Sequence, residues 1–131
     1  MHYIRITDPR DVDIPVLANI YRLPEVKQYI SIDEDNYWNY VASTKNVFYY
    51  KVLFQNRLAA AVHCELMEKT LFMDIVVFHE YRRQGLGSAI LADLQSGVLP
   101  LDFSKIEVFI DEANVPSLRL FEKMGFLPTT K

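Results

Sequence analysis

Hydrophobic and polar positions along the chain change period several times, and each change marks an element. Tyr3-Ile4-Arg5-Ile6-Thr7 alternates, which predicts a first strand, and Asp8-Pro9 ends it. The period then lengthens. Val12, Val16, Leu17 and Ile20 share one face of a helix that Asp11 or Asp13 can cap. Leu23-Pro24 breaks that helix, and Pro24 suits the first turn of a second, short one carrying Val26, Tyr29 and Ile30. Ser31-Ile32-Asp33-Glu34 has the S-x-x-E spacing of a capping box. It predicts a third helix through about Ser43, crowded with Tyr37, Trp38, Tyr40 and Val41.

From Asn46 the period falls to two. Val47 to Phe54 reads as a strand, Gln55-Asn56-Arg57 as a hairpin turn, and Leu58 to Met67 as the returning strand. Glu68-Lys69-Thr70 turns the chain into Leu71 to Phe78, another strand. Leu86, Ile90 and Leu94 then recur at helical spacing, and Gly97 and Pro100 close that helix. Lys105 to Ile110 alternates, with Ile106, Val108 and Ile110 on one face. Pro116 suits the first turn of a last helix, Gly125 its left-handed cap, and Phe126 the start of a last short strand. The order is strand, two or three helices, three strands, helix, strand, helix, strand. It predicts an α/β (α+β) domain over residues 1–131, a mixed sheet with helices on both faces.

Composition narrows the function. A chain of 131 residues is one domain by length, and 50% apolar content excludes disorder. A net charge of −3 with both signs scattered argues against a nucleic-acid surface. No apolar run approaches the roughly 18 residues of a membrane span, and Met1-His2-Tyr3-Ile4-Arg5 starts no signal peptide. The expectation is a soluble cytoplasmic protein. Its one cysteine, Cys64, cannot form an internal disulfide and reads as a small buried strand residue.

The candidate chemistry lies between the strand Ile75-Val76-Val77-Phe78 and the helix that follows. Arg82-Arg83-Gln84-Gly85-Leu86-Gly87, with Ser88 behind it, joins the two. The first turn of a helix leaves N–H groups unpaired and carries the positive end of the dipole. Glycines let the backbone approach an anion, and Arg82 and Arg83 add charge. A Walker A loop requires Gly-Lys-Ser/Thr, which is absent, and the dinucleotide fingerprint a third glycine where Ile90 stands. Arg82-x-x-Gly85-x-Gly87 resembles the Q/R-x-x-G-x-G/A pyrophosphate loop of the GNAT superfamily of N-acetyltransferases, which bind acetyl-CoA. A second signature follows in the same order as in that family. Asn114 precedes a helix that ends in Phe121-Glu122-Lys123-Met124-Gly125-Phe126. The two cover the second half of the chain, while the first half matches only in its order of elements.

The resemblance implies a mostly antiparallel sheet in which the strand before the loop and the strand after its helix splay apart around the pantetheine arm. Backbone groups of Val76, Val77 and Phe78 would pair with that arm, and the Val77 N–H would donate to the thioester carbonyl. Backbone N–H groups of Arg83, Gln84, Gly85, Leu86, Gly87 and Ser88 would hold the pyrophosphate beside Arg82. Asn114 would meet the cofactor arm near Phe121, although it also suits a plain helix cap. Val77 and Asn114 are thus the candidate catalytic groups, and no metal is expected. The activity implied is acetyl transfer from acetyl-CoA to a primary amine of a small molecule or peptide.

The chain also departs from the family pattern. Phe121 stands where many members place a tyrosine that can protonate the leaving thiolate. Leu71 stands where a carboxylate base is often found. Asp74 lies three residues on, on the opposite strand face unless a bulge intervenes. His63 and Glu65 on the neighbouring strand read as solvated or satisfied residues, and a water chain is an equal candidate for the base. Tyr29, Tyr37, Trp38 and Tyr40 are either helix packing or the wall of an acceptor pocket. After Phe126 only Leu127-Pro128-Thr129-Thr130-Lys131 follow, where the family usually continues for one further strand, which implies a naturally short variant, a truncated chain or a strand borrowed from a partner. An edge left unpaired favours a second copy, as in a homodimer. These departures keep open a non-catalytic acyl-CoA-binding sensor or an interaction domain.

Overall fold

The structure is a computed structural model and describes residues 1–129. Five strands form one sheet in the order β1-β2-β3-β4-β5: His2–Arg5, Val47–Phe54, Arg57–Met67, Thr70–Val77 and Lys105–Glu107. The first four pair antiparallel, and β5 joins β4 in parallel through Thr70–Lys105, Leu71–Ile106 and Phe72–Glu107. Helices α1 (Ile14–Arg22), α2 (Pro24–Lys27) and α3 (Tyr37–Ser43) precede β2. Helix α4 (Leu86–Gln95) follows β4, and α5 (Val115–Lys123) follows β5. The mixed, mostly antiparallel sheet expected from the sequence is what forms.

Period-two alternation divides the core into two. On one face Leu17, Tyr21, Val26, Trp38 and Val41 from the first three helices pack on Tyr49, Ala61 and Val76. On the other, Ile90, Leu91 and Leu94 of α4 and Phe121 of α5 pack on Val52, Val62, Cys64 and Leu71. Burial pushes the Cys64 thiol up to about 12, with the charge of Asp74 adding to the shift. This supports its reading as an inert core residue. Between β2 and β3, Gln55 and Asn56 both take positive φ (53° and 64°), as the tight turn requires.

Three local expectations are corrected. Helix α1 buries Leu17, Ala18 and Tyr21, while Val12 and Val16 stay exposed. Val12 lies before the helix, because Asp11 and Asp13 are drawn inward to the buried Lys51 ammonium (3.0 and 2.8 Å) and neither side chain caps α1. Ser31 opens no helix either. Glu34 is held by the Arg22 guanidinium, and Asp33 organises a turn by accepting from the Asp35 N–H and the Asn36 amide. Helix α3 therefore starts only at Tyr37. Finally, Phe126 begins no strand among the described residues. Gly125 takes φ 91°, the Phe126 N–H donates to the Phe121 carbonyl at 3.0 Å, and the two rings meet edge to face, so this residue completes the helix cap. Residues 130 and 131 of the expected short C-terminus lie outside the described residues.

Candidate active site

Strand β5 pairs with β4 only as far as Phe72 and Glu107, and β4 runs on to Val77 paired with β3 on its other side only. The chain from Val108 to Asp111 leaves the sheet, and a narrow cleft opens between it and Met73-Asp74-Ile75, with Asn114 and Phe121 along its floor. The backbone on β4 decides what faces that gap. The Phe78 N–H donates to the Ala59 carbonyl of β3 at 2.9 Å. Alternation turns Val76 and Asp74 to the same side and Ile75 and Val77 to the open side. Of the three residues expected to pair with a pantetheine arm, Val77 presents its N–H to the gap, whereas Val76 turns to β3. Phe78 is engaged twice, since its carbonyl accepts from the Tyr81 N–H (2.9 Å). Ile75, two residues before Val77, belongs with it. The period that assigns the face also assigns this edge, and could have named it.

The glycine loop is built where expected. Gly85 is the N-cap of α4 at φ 77°, in the left-handed region open to glycine, and the first intrahelical bond runs from the Ala89 N–H to the Gly85 carbonyl at 3.0 Å. No side chain caps the helix, so Leu86, Gly87 and Ser88 have first-turn N–H groups without an intrahelical acceptor. Arg82, Arg83, Gln84 and Gly85 are exposed. The Arg82 Nε–H donates to the Val77 carbonyl (3.1 Å), tying the loop to the free edge of β4. The residues of the loop line neither of the two clefts described here and sit beyond the open end of β4. Gly87 has a different task. A Cβ there would lie 2.9 Å from Leu120 Cδ2, so glycine lets α4 close on α5. Asn114 accepts from the Ser117 N–H at 3.4 Å, the cap role, while also lining the cleft.

A second, wider cleft of about 270 Å³ opens on the α3 side of β3 and β4, between Ile30-Ser31-Ile32 and the Phe72–Phe109 pair. Asp74 lines both clefts. Its position on the face opposite Leu71, without a bulge in the β3–β4 register, matches the strand parity. Burial lifts its carboxyl above the usual range, the charge of His63 opposes this and that of Glu65 adds to it. The Asp74 Oδ1 atom is sealed and has no partner among the described residues.

Beside Asp74 runs a hydrogen-bonded line of side chains. The Glu65 carboxylate only accepts, so the His63 Nε2–H donates to it at 2.6 Å, and the Tyr37 hydroxyl and His63 Nδ1 share a hydrogen bond of 2.6 Å. The Tyr40 hydroxyl donates to the other Glu65 oxygen at 2.9 Å. Burial, with the charges of Tyr49 and Asp74 behind it, raises the Tyr37 phenol far above its ordinary value, so it stays protonated. His63 and Glu65 are satisfied strand residues, as expected, yet they also wall the cleft. The expected aromatics divide. Trp38 is core, Tyr37 and Tyr29 line clefts, and Tyr40 lines neither and bonds Glu65. The line was visible as two spacings, i and i+2 on a strand and i and i+3 on a helix, but nothing local joins the two elements.

The model of the acetyltransferase (GNAT) family matches residues 14–126. An alpha/beta-tubulin-N-acetyltransferase 9 from Mus musculus is 47% identical over 47 residues. That stretch is 35% of this chain and 20% of the relative, so the match spans about a fifth of that protein's length. Among solved structures, a GNAT-family acetyltransferase from Streptococcus pneumoniae superposes with a TM-score of 0.67 at 18% identity, covering 98% of this chain and 87% of that one. The ribosomal-protein-S18-alanine N-acetyltransferase of Escherichia coli does so with a TM-score of 0.73 at 17% identity, covering 98% and 80%. At these identities the structures speak for the fold.

Proposed function

Because the chain belongs to the GNAT acetyltransferase family, we propose that it moves an acetyl group from acetyl-CoA to a primary amine of a small molecule or peptide. The observation that carries this is the parting of β4 from β5 after Phe72, which frees the backbone edge of Ile75 and Val77 beside uncapped amides at the start of α4. When bound, acetyl-CoA supplies an activated acetyl thioester. In this reading the first-turn N–H groups of Leu86, Gly87 and Ser88, with Arg83 beside them, hold the diphosphate. The Ile75 and Val77 edge and Asn114 hold the pantetheine amides, and the Val77 N–H is the donor placed for a carbonyl that gains negative charge.

The amine must be neutral to attack, and Asp74 is the base we assign. A carboxylate whose affinity for a proton is raised by burial, on a residue that lines both clefts, is suited to take one from the amine. Phe121 has no proton to give, so the thiolate, with a reference pKa of about 8.5, leaves unaided or takes its proton from water. No described helix is long and apolar enough to cross a membrane. A cytoplasmic setting fits the reduced, buried Cys64, and the outer edge of β5 is open to a strand of a second copy.

Amine-dependent thiol release from acetyl-CoA across a panel of amines tests the proposal. Release is expected with at least one acceptor. A second reading, a non-catalytic acyl-CoA-binding domain, is favoured by Phe121, which has no proton to give, by Leu71 in place of a carboxylate, and by the absence of a strand at Phe126 among the described residues. Coenzyme A binding with no release from any amine would select it.

A further inference from the structure

The wider cleft carries three carboxylates, Glu65, Asp74 and Glu107, and no lysine or arginine among its lining residues. Lys105 approaches Glu107 only at 3.5 Å and is itself largely solvated, so it leaves that carboxylate with capacity to spare. Glu65 already accepts from Tyr40 and His63, and Asp74 keeps a sealed oxygen without a partner. The cleft also has an aromatic wall. Phe109 is 85% exposed, and its ring lies parallel to that of Phe72, with centroids 6.0 Å apart and planes within 2°.

An aromatic ring so exposed offers its negative face to solvent, where it attracts cations. The reacting amine cannot be what all this acidity answers, because it must shed its charge to attack. One carboxylate suffices for that proton. The remaining acidic groups and the paired rings answer a positive charge that persists through the reaction.

We propose that the acceptor carries a second cationic group, an alkylammonium or guanidinium, held by Glu107 and Glu65 against the Phe72–Phe109 wall while the amine to be acetylated faces Asp74. This rests on the acetyl-transfer reading above. It specifies the acceptor as a dication, whether a free diamine or a peptide amine next to a basic side chain.

The test compares kcat/KM for 1,4-diaminobutane, 4-aminobutan-1-ol and 1-aminobutane, with a Gly-Lys amide set against a Gly-norleucine amide. A preference of about tenfold or more for the second charge is expected. It appears in the diamines if the acceptor is a small molecule and in the lysyl peptide if it is a peptide, and either supports the proposal. Glu107→Gln is expected to cut that ratio by about fivefold. The residue is on the surface, so the variant should fold, which its melting curve checks. Equal rates for 1,4-diaminobutane and 4-aminobutan-1-ol, together with no preference between the peptides, would overturn the proposal. So would a ratio that survives in both Glu107→Gln and Phe109→Ala. If no amine is acetylated, the acetyl-transfer reading has failed, and calorimetry still decides this one. Tighter binding of 1,4-diaminobutane than of 1-aminobutane, lost in Glu107→Gln, sustains it, and equal binding refutes it.

Discussion

Asp74 stands opposite His63 on the β3–β4 ladder, and both line the same cleft. The pairing puts a desolvated carboxylate against an imidazole whose two nitrogens are already engaged by Tyr37 and Glu65. A structural ion pair would use that imidazole. Here Asp74, a residue that lines both clefts, keeps a sealed oxygen without a partner among the described residues, a burden on stability that function explains.

The first prediction follows from that burden. The folded state holds the Asp74 proton more tightly than the unfolded chain, so stability falls as pH rises from the ordinary carboxylate pKa through the raised one. Asp74→Asn should therefore melt higher than the native chain at pH 8, with the gain shrinking toward pH 4, while losing about a hundredfold or more in kcat. A variant that melts lower at pH 8 and keeps its turnover would remove Asp74 from the mechanism. Melting curves at the two pH values and steady-state rates decide it.

At the loop, the packing separates two variants that the sequence alone treats alike. Gly87→Trp places a side chain where even a Cβ meets Leu120 at 2.9 Å, so it should part α4 from α5 and cost about 2–3 kcal/mol. Lost coenzyme binding there would say little about the loop itself. Arg83→Glu changes an exposed residue, should leave the melting temperature of the free protein within about a degree, and should weaken coenzyme A about tenfold. Calorimetric titration gives the affinities.

Lys51 is 6% exposed and ties β2 to the approach of α1 through Asp11 and Asp13. Burial alone would lower its pKa, but the bonds to Asp13 and Asp11 outweigh this and raise it, so the pair contributes through neutral pH and is lost only at strongly basic pH. Lys51→Met should cost about 2–3 kcal/mol, because two half-buried carboxylates lose their cation. Adding Asp11→Asn and Asp13→Asn should recover much of it. Urea unfolding of the single and triple variants checks both statements.

Phe121→Tyr adds a hydroxyl at a residue that lines the narrow cleft and packs edge-on against Phe126. Turnover should stay level or rise, since the hydroxyl supplies the proton donor that the native site lacks. A large loss in kcat with an unchanged fold would mean that the thiolate leaves elsewhere.

How much of this the sequence could reveal depended on range. Strand Val47–Phe54 was legible to the residue, because alternation within it is set by its two core faces. The handover from β4 through Gly85 to α4 was legible because glycine, helix start and apolar run are local. The capping box misled because Arg22, twelve residues away, takes Glu34. The helix face misled because Lys51 takes Asp11 and Asp13. Asp74 could be named as a candidate base from the sequence, but its surroundings could not. His63, Asp74 and Tyr37 meet only once β3, β4 and α3 are packed, and no spacing along the chain records it.

Binding of coenzyme A by the uncapped start of α4 and the free edge of β4 underlies every role assigned above. The melting temperature measured as coenzyme A is titrated tests this most directly, since a ligand of the folded state stabilises by about 2.7 kcal/mol at a hundredfold excess over its Kd. The predicted result is a rise that grows with the logarithm of concentration and is blunted in Arg83→Glu. A melting temperature that does not move at millimolar coenzyme A would contradict the assignment of the site.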